Sequence, residues 1–118
     1  MASITVENYL KVLYTIANEV GEVKLSDLSI HLEVSKPTVN SMVKTLHQEG
    51  WVEYAKYKPL KLTKKGRKTA ALIIRKHRLT EMYLVKMMGF GWDEVHEIAE
   101  QVEHVKAPVF FDRMDKLL

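Results

Sequence analysis

The sequence predicts a mainly α-helical fold with one small β-hairpin: a winged helix-turn-helix domain followed by a helical domain. Three observations predict it. Apolar residues recur at helical spacing through most of the 118 residues. One stretch, "WVEYAKYKPLKLT", alternates at period two instead. Just before it, two short helices meet across the tight link "EVS".

Each element has its own local warrant. "ITVENYLKVLYTIANEV" sets Val6, Tyr9, Leu13, Ile16 and Val20 on one side and stops at Gly21. "LSDLSIHLEV" is a short second helix, expected to be capped by Ser26 and packed through Leu28 and Leu32. Ser35 is a good N-cap for the third, with Pro37 in the first turn, where a missing N–H costs nothing. That helix buries Val39, Met42, Val43 and Leu46, and Gly50 ends it.

Two short strands, Trp51–Ala55 and Leu60–Leu62, follow around a basic tip with Lys-Pro at the turn. Thr63 caps a long helix to about Met88, whose inward positions are Ala70, Ile73, Ile74, Leu84 and Val85. "GFGWDE" breaks it, and Trp92 or Asp93 opens the next helix. There Val95, Ile98, Ala99, Val102 and Val105 form an apolar stripe. Pro108 starts a last helix, "VFFDRMDKLL", with Val109, Phe110, Met114 and Leu117 as a further apolar surface.

Composition narrows the function classes. No run approaches the roughly 18 apolar residues of a membrane helix, and "MASITVENYL" lacks the basic start and apolar core of a secretory signal. With no cysteine there are no disulfides or thiolate metal sites, in keeping with a cytoplasmic location. The net charge of +3 conceals a division. From Ser35 to Arg78 twelve Lys and Arg face only Glu49 and Glu53, a net +10, whereas Leu79 to Leu118 carries four bases and eight acids, a net −4. The basic middle suggests a polyanion partner, and the acidic end a cation or a solvated surface.

The helix-turn-helix pattern, the hairpin directly after it and the basic segment together point to double-stranded DNA. At the start of the third helix Ser35, Lys36, Pro37, Thr38, Asn40 and Ser41 are the residues placed to meet it. Small hydroxyls and an amide there are able to reach base edges in a major groove. Lys44, and Lys56 and Lys58 of the hairpin with Tyr57 between them, could reach phosphates on either side.

A second constellation follows. "RKHRLTE" sets His77 and Glu81 one turn apart. "HEIAEQVEH" places His96, Glu100 and Glu103 on one helical stripe, with His104 at its edge. Imidazole with carboxylate suits Mn²⁺, Fe²⁺, Zn²⁺ or Ni²⁺. The alternative is a set of i,i+4 His–Glu pairs on a wet face, which would make the chain a metal-independent winged-helix regulator. A catalytic di-metal bundle needs two Glu-x-x-His units, but Gln101 and Asp93 stand three before His104 and His96. An enzyme is not expected.

"LSDLSIHLEVSKPTVNSMVKTLHQEGWV", "LTKKGRKTA", "RKHRLTE" and above all "VHEIAEQVEH" make the whole chain resemble the diphtheria toxin repressor family, which includes iron-dependent repressors and manganese transport regulators. The resemblance implies a winged-helix DNA-binding domain at 1–63 and a helical metal-binding and dimerisation domain at 64–118, linked by the long helix. It implies one metal position drawn from His77, Glu81 and His96, and another from Glu100, Glu103, His104 and Asn8 of the first helix. The implied function is a metal-dependent repressor of metal-uptake genes, acting as a homodimer on a palindromic operator.

The chain departs from that pattern in places. Iron-sensing members usually offer sulfur at the positions of Asn8 and Glu100. Manganese sensors usually place a carboxylate at Asn8, and some place another at Lys11. An amide and a cation here favour two separate sites over a bridged centre. Oxygen and nitrogen ligands without sulfur favour Mn²⁺ over Fe²⁺. Many members also carry an SH3-like third domain that completes the first site, which the sequence to Leu118 does not contain.

Overall fold

The computed structural model describes residues 2–118. Six helices and a two-stranded sheet run in the order α1 (Ile4–Val20), α2 (Leu25–Leu32), α3 (Lys36–Gln48), β1 (Val52–Glu53), β2 (Lys61–Leu62), α4 (Lys64–Met88), α5 (Trp92–Val102) and α6 (Pro108–Leu117). The chain forms two compact units that divide within α4, after Ala71.

In the first unit α1 packs on α2 and β2, α2 on α3, and α3 on β1. Ser3 caps α1 through its hydroxyl, which accepts from the Val6 N–H. Gly21 stops that helix at φ 91°, a conformation open to glycine at no steric cost. At the other end of the turn, the cap of α2 differs from expectation. Ser26 lies inside the helix, and Asp27 accepts from the N–H of Lys24, the residue at the cap position, at 2.9 Å. An acid at the third helical position completes half of a capping box, so the hydroxyl is not needed there.

Leu10, Leu13, Leu28, Val39, Val43, Leu46 and Val52 are almost fully buried together. Each stabilises the unit by about 1.5–3 kcal/mol relative to an exposed side chain. Leu10 escaped the helical stripe drawn for α1, and Val20, included in it, is exposed because the last turn of α1 runs past the core. The hairpin is shorter than the alternation suggested. Val52 pairs with Leu62 and Glu53 with Lys61, and Leu60 bridges instead to Val23 ahead of α2.

The joint between hairpin and α4 is tight. The Thr63 hydroxyl accepts from the Gly66 N–H at 3.1 Å and donates to the Gly50 carbonyl at 2.7 Å. A Cβ on Gly66 would meet the Trp51 carbonyl oxygen at 2.2 Å, so only glycine fits. The Lys65 ammonium lies 4.0 Å from the Trp51 ring centre, closing the other side.

The second unit, from Leu72 to Leu118, buries Ile73, Leu84, Val95, Ala99, Phe111 and Met114. It also buries three polar side chains: Lys76, Thr80 and Glu103. Thr80 donates to the Lys76 carbonyl one turn back. α5 ends at Val102, so Glu103 caps it and His104 lies in the following turn rather than on the helix. Among the described residues no helix is long and apolar enough to cross a membrane.

Candidate metal centre and nucleic-acid interface

In the second unit α4 brings His77 and Glu81 to one face, and α5 brings His96 beside them. One ligating atom from each lies within 4.8 Å of the others. The two imidazoles stand edge to face, 4.9 Å between centres. His77 Nδ1 donates to Glu103 Oε1 at 3.2 Å, and His96 Nε2 lies 3.0 Å from Glu100 Oε1 as an ion-pair contact. In the neutral tautomer of each ring that carries its proton on this far nitrogen, the near nitrogen has a lone pair.

Those near nitrogens, His77 Nε2 and His96 Nδ1, face the two oxygens of Glu81 at 3.4 and 3.7 Å. Lone pairs then confront a carboxylate, an arrangement that only a proton or a cation between them satisfies. A divalent metal fits the donor set, two imidazoles and a carboxylate. The outer carboxylates hold the orientation of the rings, the usual support of a metal-bound histidine.

The expected ligands therefore separate into roles. His77, Glu81 and His96 converge; Glu100 and Glu103 reach that cluster through the histidines. Glu103 is fully buried, while Glu100 is half exposed. His104 is partly buried and follows Glu103 directly. Asn8 sits in α1 of the first unit, partly buried, next to the buried Glu7.

The first unit carries the other constellation. Ser35 caps α3 by accepting from the Thr38 N–H, and the Ser35 and Thr38 hydroxyls are 2.7 Å apart. Ser35, Lys36, Pro37, Thr38, Ser41 and Lys44 are exposed, whereas Asn40 is only partly so. The wing tip exposes Lys56 and Lys58, and Tyr57 between them is 94% exposed at φ 65°.

An open cavity of about 570 Å³ lies between this wing and the start of α2 and adds Lys24 and Ser26 to the basic surface. Lys24 falls outside the basic segment counted from Ser35, and its place immediately before a helix was the one signal available. A second groove, between α1 and α3, sets Thr5 and Tyr9 beside Thr38 and Ser41.

Fold and site together define a winged helix-turn-helix protein with, in its helical unit, a histidine–carboxylate cluster whose donors suit a divalent metal. Residues 1–60 match the family model "Iron dependent repressor, N-terminal DNA binding domain", and 63–118 match "Iron dependent repressor, metal binding and dimerisation domain". The chain belongs to the iron-dependent repressor family.

It is 37% identical over 114 residues to the iron-dependent repressor IdeR of Mycobacterium leprae, covering 97% of this chain and 50% of that protein. It is 30% identical over 118 residues to the HTH-type transcriptional regulator MntR of Geobacillus kaustophilus, covering 100% of this chain and 83% of that one. The solved structure of the manganese regulator SloR superposes with a TM-score of 0.81 at 38% identity, over 95% of this chain and 52% of that one. The chain thus spans about half the length of IdeR and SloR.

Proposed function

We propose that this protein is a metal-dependent transcriptional repressor of metal-uptake genes, activated by Mn²⁺ in preference to Fe²⁺, that acts in the cytoplasm as a homodimer on a palindromic operator. The observation that carries the reading is the pair of histidines, each braced on its far nitrogen by a carboxylate and turned with its near nitrogen toward Glu81. A divalent ion between these groups would be shared by two ring nitrogens and one carboxylate. Named relatives support both halves of the metal assignment, one iron-dependent and one a manganese regulator. The sulfur-free donor set favours manganese.

His77, Glu81 and His96 hold one ion in this reading. Glu100, Glu103 and His104 of the second unit form a second position in this reading. DNA is read by Thr38, Asn40 and Ser41 at base edges, with Ser35, Lys36, Pro37 and Lys44 at the helix start and Lys56 and Lys58 on the wing at phosphates. A second copy of the chain would cover the exposed apolar residues Val109, Phe110 and Leu117 of α6.

Operator-sized DNA binding with chelator, Mn²⁺, anaerobic Fe²⁺ and Zn²⁺ in turn tests the proposal. Tight binding with Mn²⁺ and its loss on chelation are expected. Binding that ignores metal throughout would leave a metal-independent winged-helix regulator.

A further inference from the structure

Lys76 is the one buried lysine among the described residues, at 7% exposure, and the ligand set does not use it. An ammonium withdrawn from water is unfavourable unless its partners offset the loss. Its Nζ donates to the Val105 carbonyl at 3.1 Å and stands 5.2 Å from the Phe111 ring centre. α5 has no basic residue in its last turn, although a helix C-terminus favours a cation. Lys76 of α4 brings a cation to the turn just beyond that end.

The turn so held matters to the cradle. Val105 N–H donates to the Val102 carbonyl at 3.0 Å and Glu103 N–H to that of Ala99 at 2.9 Å, so the segment is tied to its own helix as well. The same turn carries Glu103, whose Oε1 accepts from His77 Nδ1. Lys76 and His77 are consecutive in α4. One stretch of α4 therefore grips the turn twice, once at the backbone and once through a side chain.

We propose that Lys76 is a positioning residue for the metal cradle: by holding the Glu103–Val105 turn it keeps Glu103 against His77, and so keeps His77 Nε2 aimed at the ion. The inference rests on the metal-binding reading of the cradle, but its geometry exists in the metal-free protein and is tested there first.

The test compares wild type with Lys76→Met, Lys76→Gln and Lys76→Arg in the full chain. In metal-free protein, ring-nitrogen NMR should show His77 leaving the Nδ1–H tautomer in Lys76→Met. The Val105 amide should exchange at least about tenfold faster, since the turn opens locally. Mn²⁺ affinity should fall about 10–100-fold, as for other supports of a liganding histidine. Lys76→Arg, which keeps a cation at the turn, should restore all three readouts most of the way.

If Lys76→Met does not fold, Lys76→Gln against Lys76→Arg carries the same comparison. An unchanged His77 tautomer in the neutral variants would overturn the proposal, whatever the melting temperature does. So would equal losses in the neutral variants and Lys76→Arg. If wild type binds no Mn²⁺, the functional reading fails, and the tautomer measurement still decides the role of Lys76.

Discussion

The two units place their functional side chains oppositely with respect to their cores. In the first, an apolar core from Leu10 to Val52 supports Lys36, Thr38, Ser41, Lys56 and Lys58 on the outside, where each can change without touching the packing. In the second, Glu103 is fully buried, and His77, with its side chain 12% exposed, is nearly so. There Glu103 and His77 belong to the core, whereas His96 and Glu100 stand at its edge with side chains 64% and 50% exposed. A surface reader can separate stability from function; the buried half of the cradle cannot, because Glu103 and His77 also join the end of α5 to α4.

That contrast can be broken at four points, the largest effect first. The first unit should fail at its joint rather than on its face. Gly66→Ala forces a Cβ against the Trp51 backbone and should cost about 3 kcal/mol of stability, at the upper end of overpacking penalties, read by denaturant melts. A loss below about 0.5 kcal/mol, the scale of ordinary surface changes, would mean that the joint yields easily.

In the second unit Glu103→Gln replaces the acceptor for His77 Nδ1 with an amide. Mn²⁺ affinity by calorimetry should drop about 10–100-fold. The melting temperature should move in the same preparation, since a buried hydrogen bond contributes about 1 kcal/mol. Movement in affinity without any in stability would contradict the claim that the two are inseparable here.

Back on the exposed face, Asn40→Ala should cost about 1–3 kcal/mol on the preferred operator if it reads a base edge, and much less on random DNA. Its partial burial makes this the residue of α3 whose outcome best tests the recognition face. Equal losses on both DNAs would assign it to backbone positioning. The smallest effect belongs to the wing. Lys56→Ala and Lys58→Ala should each lower the log–log salt slope of DNA binding by about one unit. Stability should stay within about 0.5 kcal/mol of wild type. An unchanged slope would remove the wing tip from the interface.

Local chemistry was enough for the helices and for several of their ends. The bounds of α1, the Ser35 and Thr63 caps and the break at Gly89–Gly91 follow from residues within a turn of one another, so they are written in the sequence. The same locality explains what the reading misplaced. Ser26 and Asp27 both suit a helix start, and choosing between them depends on where the chain leaves Val23, which pairs with Leu60 thirty-seven positions away. Lys24 joins the basic surface only because the wing folds back beside α2.

The sequence by itself determined which residue types are available for metal and DNA: imidazoles and carboxylates without sulfur, and a lysine-rich middle. Helical spacing also determined that His77 and Glu81 share a face, and that His96 and Glu100 do. Only the tertiary structure decided how the far nitrogen of each histidine is occupied, because the His77–Glu103 bond joins α4 to the end of α5 across 26 positions. It alone decided that Glu103 is buried and that Lys76 turns inward to Val105. A heptad or a helical wheel records direction around one axis. Whether a carboxylate faces metal, histidine or water depends on which second helix comes to lie against it.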